Sequence, residues 1–156
     1  MSDDWQQPPP EAEPVLPPTA QAPPSWREPL LAGLAAALAG ALAWALITVL
    51  THYKVGLVAV GLGFLVGGVV RRFGGAGSQP HAVLSAILAL LGCALGNLLS
   101  ACALIAVERS VSILPVVLAV LGSPSLASQV MVATFSPMDL LFYAIAGYEG
   151  FKLVMR

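Results

Sequence analysis

Leu30 to Leu50 is a run of 21 residues without one charged side chain. As a helix it would reach roughly 32 Å, against a hydrocarbon core about 30 Å thick. Inside a bilayer only a helix or a closed barrel satisfies every backbone N–H and C=O, and a continuous apolar run of this length belongs to a helix. After the break Thr51-His52-Tyr53-Lys54, Val55 to Val70 gives 16 more uncharged residues. That is about 24 Å, a short span that extends if Tyr53 sits at the interface and Lys54 snorkels. Arg71 and Arg72 stop it, and Gly74, Gly75 and Gly77 form a flexible turn. Ala82 to Val107 is then the longest run, 26 residues, ended by Glu108 and Arg109.

From Ser110 to Met138 no charge occurs, but Pro115 and the cluster Gly122-Ser123-Pro124-Ser125 cut the stretch into pieces of about eleven residues, too short to cross alone. Residues 110–136 therefore read as an interfacial or re-entrant segment of two short helices, Val111 to Leu121 and Ser125 to Phe135. The second carries Leu126, Val130 and Ala133 on one side. One broken crossing helix is the rival. Ser136-Pro137-Met138-Asp139 has the form of a helix start, with Ser136 as cap, Pro137 in the first turn and Asp139 reaching back. Leu140 to Val154 follows as the last helix.

The expected fold is an all-α integral membrane helical bundle. Four transmembrane helices, at about 30–50, 55–70, 82–107 and 140–155, are joined by the short helices of 110–136. Composition agrees: 58% of residues are hydrophobic and 10% charged, where soluble proteins average about 45–50% and 25%. The charges that exist are crowded into residues 1–29, which hold Asp3, Asp4, Glu11, Glu13, Arg27 and Glu28, net 1 − 5 = −4. The rest carries 6 − 3 = +3. No basic stripe exists, so nucleic acid is not an expected partner.

Residues 1–29 also hold nine of the thirteen prolines. A segment so poor in large apolar side chains cannot offset the entropy of ordering, and its prolines favour fluctuating polyproline II. It reads as a disordered acidic tail: a solvated spacer, with a ligand for a proline-binding domain as the alternative. Its acidic start disfavours a secretory signal. Counting basic residues fixes an orientation. Four spans with the N-terminus inside put Arg27, Arg71, Arg72, Lys152 and Arg156 in the cytoplasm and Lys54 and Arg109 outside, 5 against 2. Five spans would give 3 and 4. The expected location is the inner membrane, with both termini cytoplasmic.

Small residues dominate the spans. Ser85, Ala89, Gly92, Gly96, Ser100 and Ala103 recur at steps of three or four along the third, and Gly33, Ala37, Ala41 and Ala45 form a matching stripe on the first. Gly63 and Gly67 lie one turn apart, as do Gly92 and Gly96. Such stripes let backbones approach closely in lipid. Gly63, Gly67, Gly92, Gly96, Asn97 and Ser100 are thus the expected helix-packing residues, within the chain or between copies. The run Gly61 to Gly67 has the wrong spacing for a nucleotide loop. Asn97, near the middle of the third span, must face protein and find a hydrogen-bond partner. Trp26, Arg71, Arg72, Tyr143, Tyr148 and Lys152 are the expected membrane-interface residues.

Chemistry is sparse. Cys93 and Cys102 are nine residues apart, on opposite helix faces, and have no His or carboxylate beside them. His52 and His81 fall on opposite membrane sides. No nucleophile, base and orienting group converge, and the three long runs contain no ionisable carboxylate, amine or guanidinium. Neither an enzyme nor a cofactor or metal site is expected.

The segments Val60 to Gly67 ahead of Arg71, Leu91 to Ser100, and Ser136 to Tyr143 through Tyr148-Glu149-Gly150-Phe151-Lys152 together resemble small uncharacterised multi-pass bacterial membrane proteins. The resemblance covers roughly residues 30–156. It implies a location and no activity. Some proteins of that kind carry a cysteine-rich or polar leader, whereas this leader is cysteine-free and proline-rich, so metal binding does not transfer. The expected function is a non-catalytic subunit or scaffold that packs through Gly/Ala-rich helix faces against itself or a larger membrane partner. The alternative is a small homo-oligomeric transporter or channel that uses 110–136 as a pore or gate element.

Overall fold

The computed structural model describes residues 25–53 and 56–156. The acidic proline-rich tail up to residue 24, and Lys54 with Val55, lie outside the described residues. Six helices follow in order: α1 (Arg27–Thr51), α2 (Leu57–Gly74), α3 (Gln79–Glu108), α4 (Ile113–Gly122), α5 (Pro124–Thr134) and α6 (Pro137–Met155). Among the described residues there is no strand.

Each boundary has a local cause. The α1 helix stops where His52 takes a left-handed conformation, φ 57°. The α2 helix runs beyond the expected stop, keeping Arg71 and Arg72 in its last turn, where cations oppose the negative end of the helix dipole. It stops at the turn through Gly75 and Gly77, both at positive φ. Extended Ser78 and Pro80 in the first turn open α3. Ser136 and Asp139 form the reciprocal capping box that opens α6: Met138 N–H donates to Ser136 Oγ at 3.3 Å and Ser136 N–H to Asp139 Oδ2 at 2.8 Å.

Helices α1, α2 and α3 are long and apolar enough to cross a membrane. A fourth crossing by the same measure would be α4 and α5 taken together, and these bend by 109° where they join. The sequence placed the fourth crossing in Leu140 to Val154 instead. That segment is helical, but Asp139, Glu149 and Lys152 keep it outside the group of long apolar helices.

The chain threads the bundle so that both described ends meet. Gly77 N–H donates to Val154 O at 2.8 Å, and the Trp26 ring meets that of His81 tilted by 50°, with centroids 4.8 Å apart. The α2–α3 turn, the start of α1 and the end of α6 therefore share one end. Gly56, against the Phe142 ring, marks the other. Pairings Gly33–Leu88, Ala37–Gly92 and Thr48–Ser100 make α1 and α3 parallel, and Gly63–Ala146 with Gly67–Gly150 do the same for α2 and α6.

The core lies between these four helices and is built from small side chains: Ala37, Ala41, Ala59, Ala82, Ala89 and Ala146 are buried beside Gly63, Gly67, Gly92 and Gly96. The outer surface is built from large ones. On α1, Leu31, Leu34, Leu38, Leu42, Leu46 and Leu50 are exposed. This reverses the water-soluble arrangement, in which leucine is buried in preference to the surface.

The α4 helix lies against the second half of α3, with Val120 packed on Leu98 and Cys102. Against α3, α5 presents Ala127, Val130, Met131 and Thr134 rather than the expected Leu126, Val130 and Ala133 stripe, since Leu126 and Ala133 are exposed. The cause is Asn97, whose amide reaches Met131 and Thr134 and turns that face inward. No residue of α5 is fully buried.

Candidate functional site

Two groups of residues stand out, a seam of close backbone approach and a cluster of charges at the shared end.

The seam begins where α2 meets α6. A Cβ placed on Gly63 would lie 2.3 Å from the carbonyl oxygen of Ala146, and one on Gly67 would lie 3.0 Å from that of Gly150. Two glycines one turn apart on α2 thus face an alanine and a glycine one turn apart on α6. This is the spacing that lets helix backbones touch. The α3 helix closes over the pair: Ser85 Oγ donates to Gly150 O at 2.9 Å, and Tyr143 OH donates to Cys93 O at 3.0 Å. On the other side of α3, Gly92 meets Ala37 and Leu62, and Gly96 meets the Trp44 ring.

Ser100 accepts a hydrogen bond from Thr48 at 3.2 Å, and Asn97, 2% exposed, donates to Thr134 Oγ1 at 3.4 Å. The six residues expected to pack helices all lie in contacts made within this chain. Their partners on α6 and α5, chiefly Ala146, Gly150, Met131 and Thr134, were not paired with them from sequence. The signal was present for α6, where Ala146 and Gly150 repeat the four-residue small spacing of Gly63 and Gly67. None was present for Asn97 and α5, because that contact spans 37 residues.

At the shared end, Trp26 is half exposed over His81, and Arg71 and Arg72 close α2. Tyr148 is exposed, with the Lys152 ammonium 5.0 Å from its ring centre and 3.9 Å from Glu149 Oε1. A partly exposed pair of this kind contributes little to stability. Tyr143 is placed differently from its expected interface position. Its hydroxyl reaches inward to Cys93, midway along α3, because α6 packs along the bundle and carries the ring inside.

Cys93 and Cys102 are free, buried, and on opposite sides of α3, one toward Ala59 and the other toward Val120. His52 and His81 lie at opposite ends of the bundle. Among the described residues, no three of His, Cys, Asp and Glu come together. The interior polar groups among the described residues are two thiols, hydroxyls, an amide, an indole and the His81 ring. Trp44 Nε1 and both ring nitrogens of His81 have no hydrogen-bond partner among the described residues. Such an interior can fix helices at close range.

Set against known proteins, the chain matches no family model, no curated protein and no solved structure.

Proposed function

We propose that the chain is a multi-pass membrane protein of the bacterial inner-membrane kind, a non-catalytic subunit that docks a larger membrane partner, with both termini in the cytoplasm. The reversed distribution of large and small side chains supports the membrane setting. Leucines cover the outside of α1 while alanines and glycines fill the core, an arrangement stable only where the surroundings are themselves apolar.

The observation that carries the subunit reading is α5. On its outer side Val132 is exposed, Phe135 just past its end touches the Tyr143 ring edge-on at 5.9 Å yet stays exposed, and the helix holds no fully buried residue. The Gly/Ala-rich seams are occupied internally, so α4 and α5 are the elements left to meet a partner. In this reading α6 is the fourth crossing. It runs beside α2 from Phe142 near Gly56 to Val154 at Gly77, and this returns the C-terminus to the side of the N-terminus.

The test is photo-crosslinking from Val132 on α5 and from Leu42 on α1 in the native membrane, with assembly mass read by native mass spectrometry. The subunit reading expects Val132 to capture one protein in fixed ratio, lost on Val132→Glu, while Leu42 captures lipid. Lipid alone at Val132 defeats it. Capture of a second copy in a closed ring turns the reading to the homo-oligomeric transporter.

A further inference from the structure

At the end shared by Trp26 and Val154 lies a shallow cleft of about 320 Å³ lined by Gly68, Arg71, Arg72 and Ala76. Gly68 stands three residues before Arg71 and four before Arg72, so it lies one turn beneath both on the same side of α2. Having no side chain, it leaves a hollow under two guanidinium groups. The α2–α3 turn supplies the other wall through Ala76.

Among the described residues neither guanidinium group has a carboxylate or hydrogen-bond partner; the ion pair at this end, Lys152 with Glu149, leaves them out. Among the described residues this end carries Arg27, Arg71, Arg72, Lys152 and Arg156 against Glu28 and Glu149, 5 − 2 = +3. The other end carries Glu108, Arg109 and Asp139, 1 − 2 = −1 among the described residues.

We infer that Arg71 and Arg72 hold the phosphate of an anionic phospholipid headgroup, seated over Gly68. The inference rests on the membrane setting proposed above and is independent of the partner docked at α5. Guanidinium groups match a phosphate diester as paired donors, and an unpaired basic cluster where an apolar helix ends is placed at headgroup depth. Leu65, exposed about one turn before Gly68 on the same side of α2 and nearer the middle of the bundle, begins the apolar surface onto which the acyl chains would lie. A free phosphate would gain nothing from that surface, so the lipid is the occupant the cleft favours.

The test is native mass spectrometry of the delipidated full chain titrated with phosphatidylglycerol and, separately, phosphatidylcholine. The wild type should bind phosphatidylglycerol the more tightly. Losing both arginines should weaken that binding roughly 30-fold, about fivefold for each. Arg109→Gln, which removes one positive charge from the opposite end, should leave it unchanged, where Arg71→Gln alone should weaken it about fivefold. Gly68→Leu retains both arginines and fills the hollow. Its Cβ has only Leu153 Cδ2, at 3.8 Å, for a neighbour, so α2 accommodates it; this variant should also lose the preference.

Equal affinity of the wild type for the two lipids overturns the inference without any variant. So does displacement of phosphatidylglycerol by equimolar inorganic phosphate, equal weakening in Arg109→Gln, or full binding in Gly68→Leu. If the preference emerges only after Asp3, Asp4, Glu11 and Glu13 are neutralised to their amides, the acidic tail is the occupant and the lipid assignment falls. Loss of crosslinking at Val132 would leave this result untouched, and the two readings therefore fail separately.

Discussion

Gly63→Ala adds one methyl group at the tightest point of the bundle. Its Cβ would lie 2.3 Å from Ala146 O, 2.8 Å from Ala146 Cα and 2.9 Å from Ala146 C. All three are backbone atoms, so no rotamer change relieves the clash. Ordinary contact begins at 3.4 Å, and α6 must retreat by about 3.4 − 2.3 = 1.1 Å. A gap of about 0.5–1 Å forfeits a quarter to a half of the dispersion attraction between the atoms it separates. Overpacking in proteins costs about 1–3 kcal/mol, and with the backbone as the obstacle Gly63→Ala belongs near 3. At Gly67 the corresponding contact is 3.0 Å and the retreat only 0.4 Å, so Gly67→Ala should cost about 1 kcal/mol. Gly61, on the same helix, has nothing within 4 Å; there alanine should be neutral, or stabilising by up to about 1 kcal/mol through helix propensity. The assay is thermal unfolding of the detergent-solubilised protein followed by maleimide alkylation, with Cys93 and Cys102 distinguished by peptide mass. Cys93 lies under α2 and α6 and Cys102 under α4, so Gly63→Ala should expose Cys93 first and leave Cys102 protected. Equal melting of Gly63→Ala and Gly61→Ala, with Cys93 still protected, would refute the α2–α6 packing.

Ser136→Ala removes the side-chain half of the α6 capping box and should lower stability by about 1 kcal/mol, read from the same melt. Thr48→Val breaks the bond to Ser100 between α1 and α3 and should cost about 0.6 kcal/mol, the average for such bonds between membrane helices. Asn97→Leu removes the amide that holds Met131 and Thr134; hydrogen exchange should quicken across α5 while α1 keeps its protection.

The elements were legible because charge-free length and helix punctuation are local signals. The runs 30–50 and 82–107 became α1 and α3 with three residues added at the start and one at the end of each, and Ser136 to Asp139 announced the start of α6. The small-residue stripes were legible for the same reason, since their spacing needs one helix at a time. Which stripe meets which is not local. Gly63 and Gly67 meet α6 across 83 residues, and nothing in α2 says whether α1, α3 or a second chain is the counterpart. The inward turn of Tyr143 and the rotation of α5 were hidden likewise. A tyrosine suits an interface by composition, and only the packing of α6 along the bundle carries its hydroxyl to Cys93. Leu126, Val130 and Ala133 share one apolar face, yet one amide on α3 selects Ala127, Val130, Met131 and Thr134 in its place.

Close packing within the chain bears on how it can meet anything else. In lipid the strongest contacts come from backbones brought together by small residues, and here Gly63, Gly67, Gly92 and Gly96 are each covered by another helix of the same chain. A partner would be left with the bulky leucines on α1 or with the exposed side of α4 and α5. The two surfaces differ in a way that matters for specificity. The leucine face is apolar along α1, and it departs in shape at a cavity of about 500 Å³ that Leu42 and Leu46 wall with Ala103, Ala106 and Ile113. The α4–α5 corner has a fixed shape, with a 109° bend and Val132 and Phe135 beyond it, and its orientation is set by the bond from Asn97. Under the proposed subunit reading Asn97 would support docking without touching the partner: Asn97→Leu should weaken capture at Val132 while leaving the α2–α6 seam, and the protection of Cys93 beneath it, as they are.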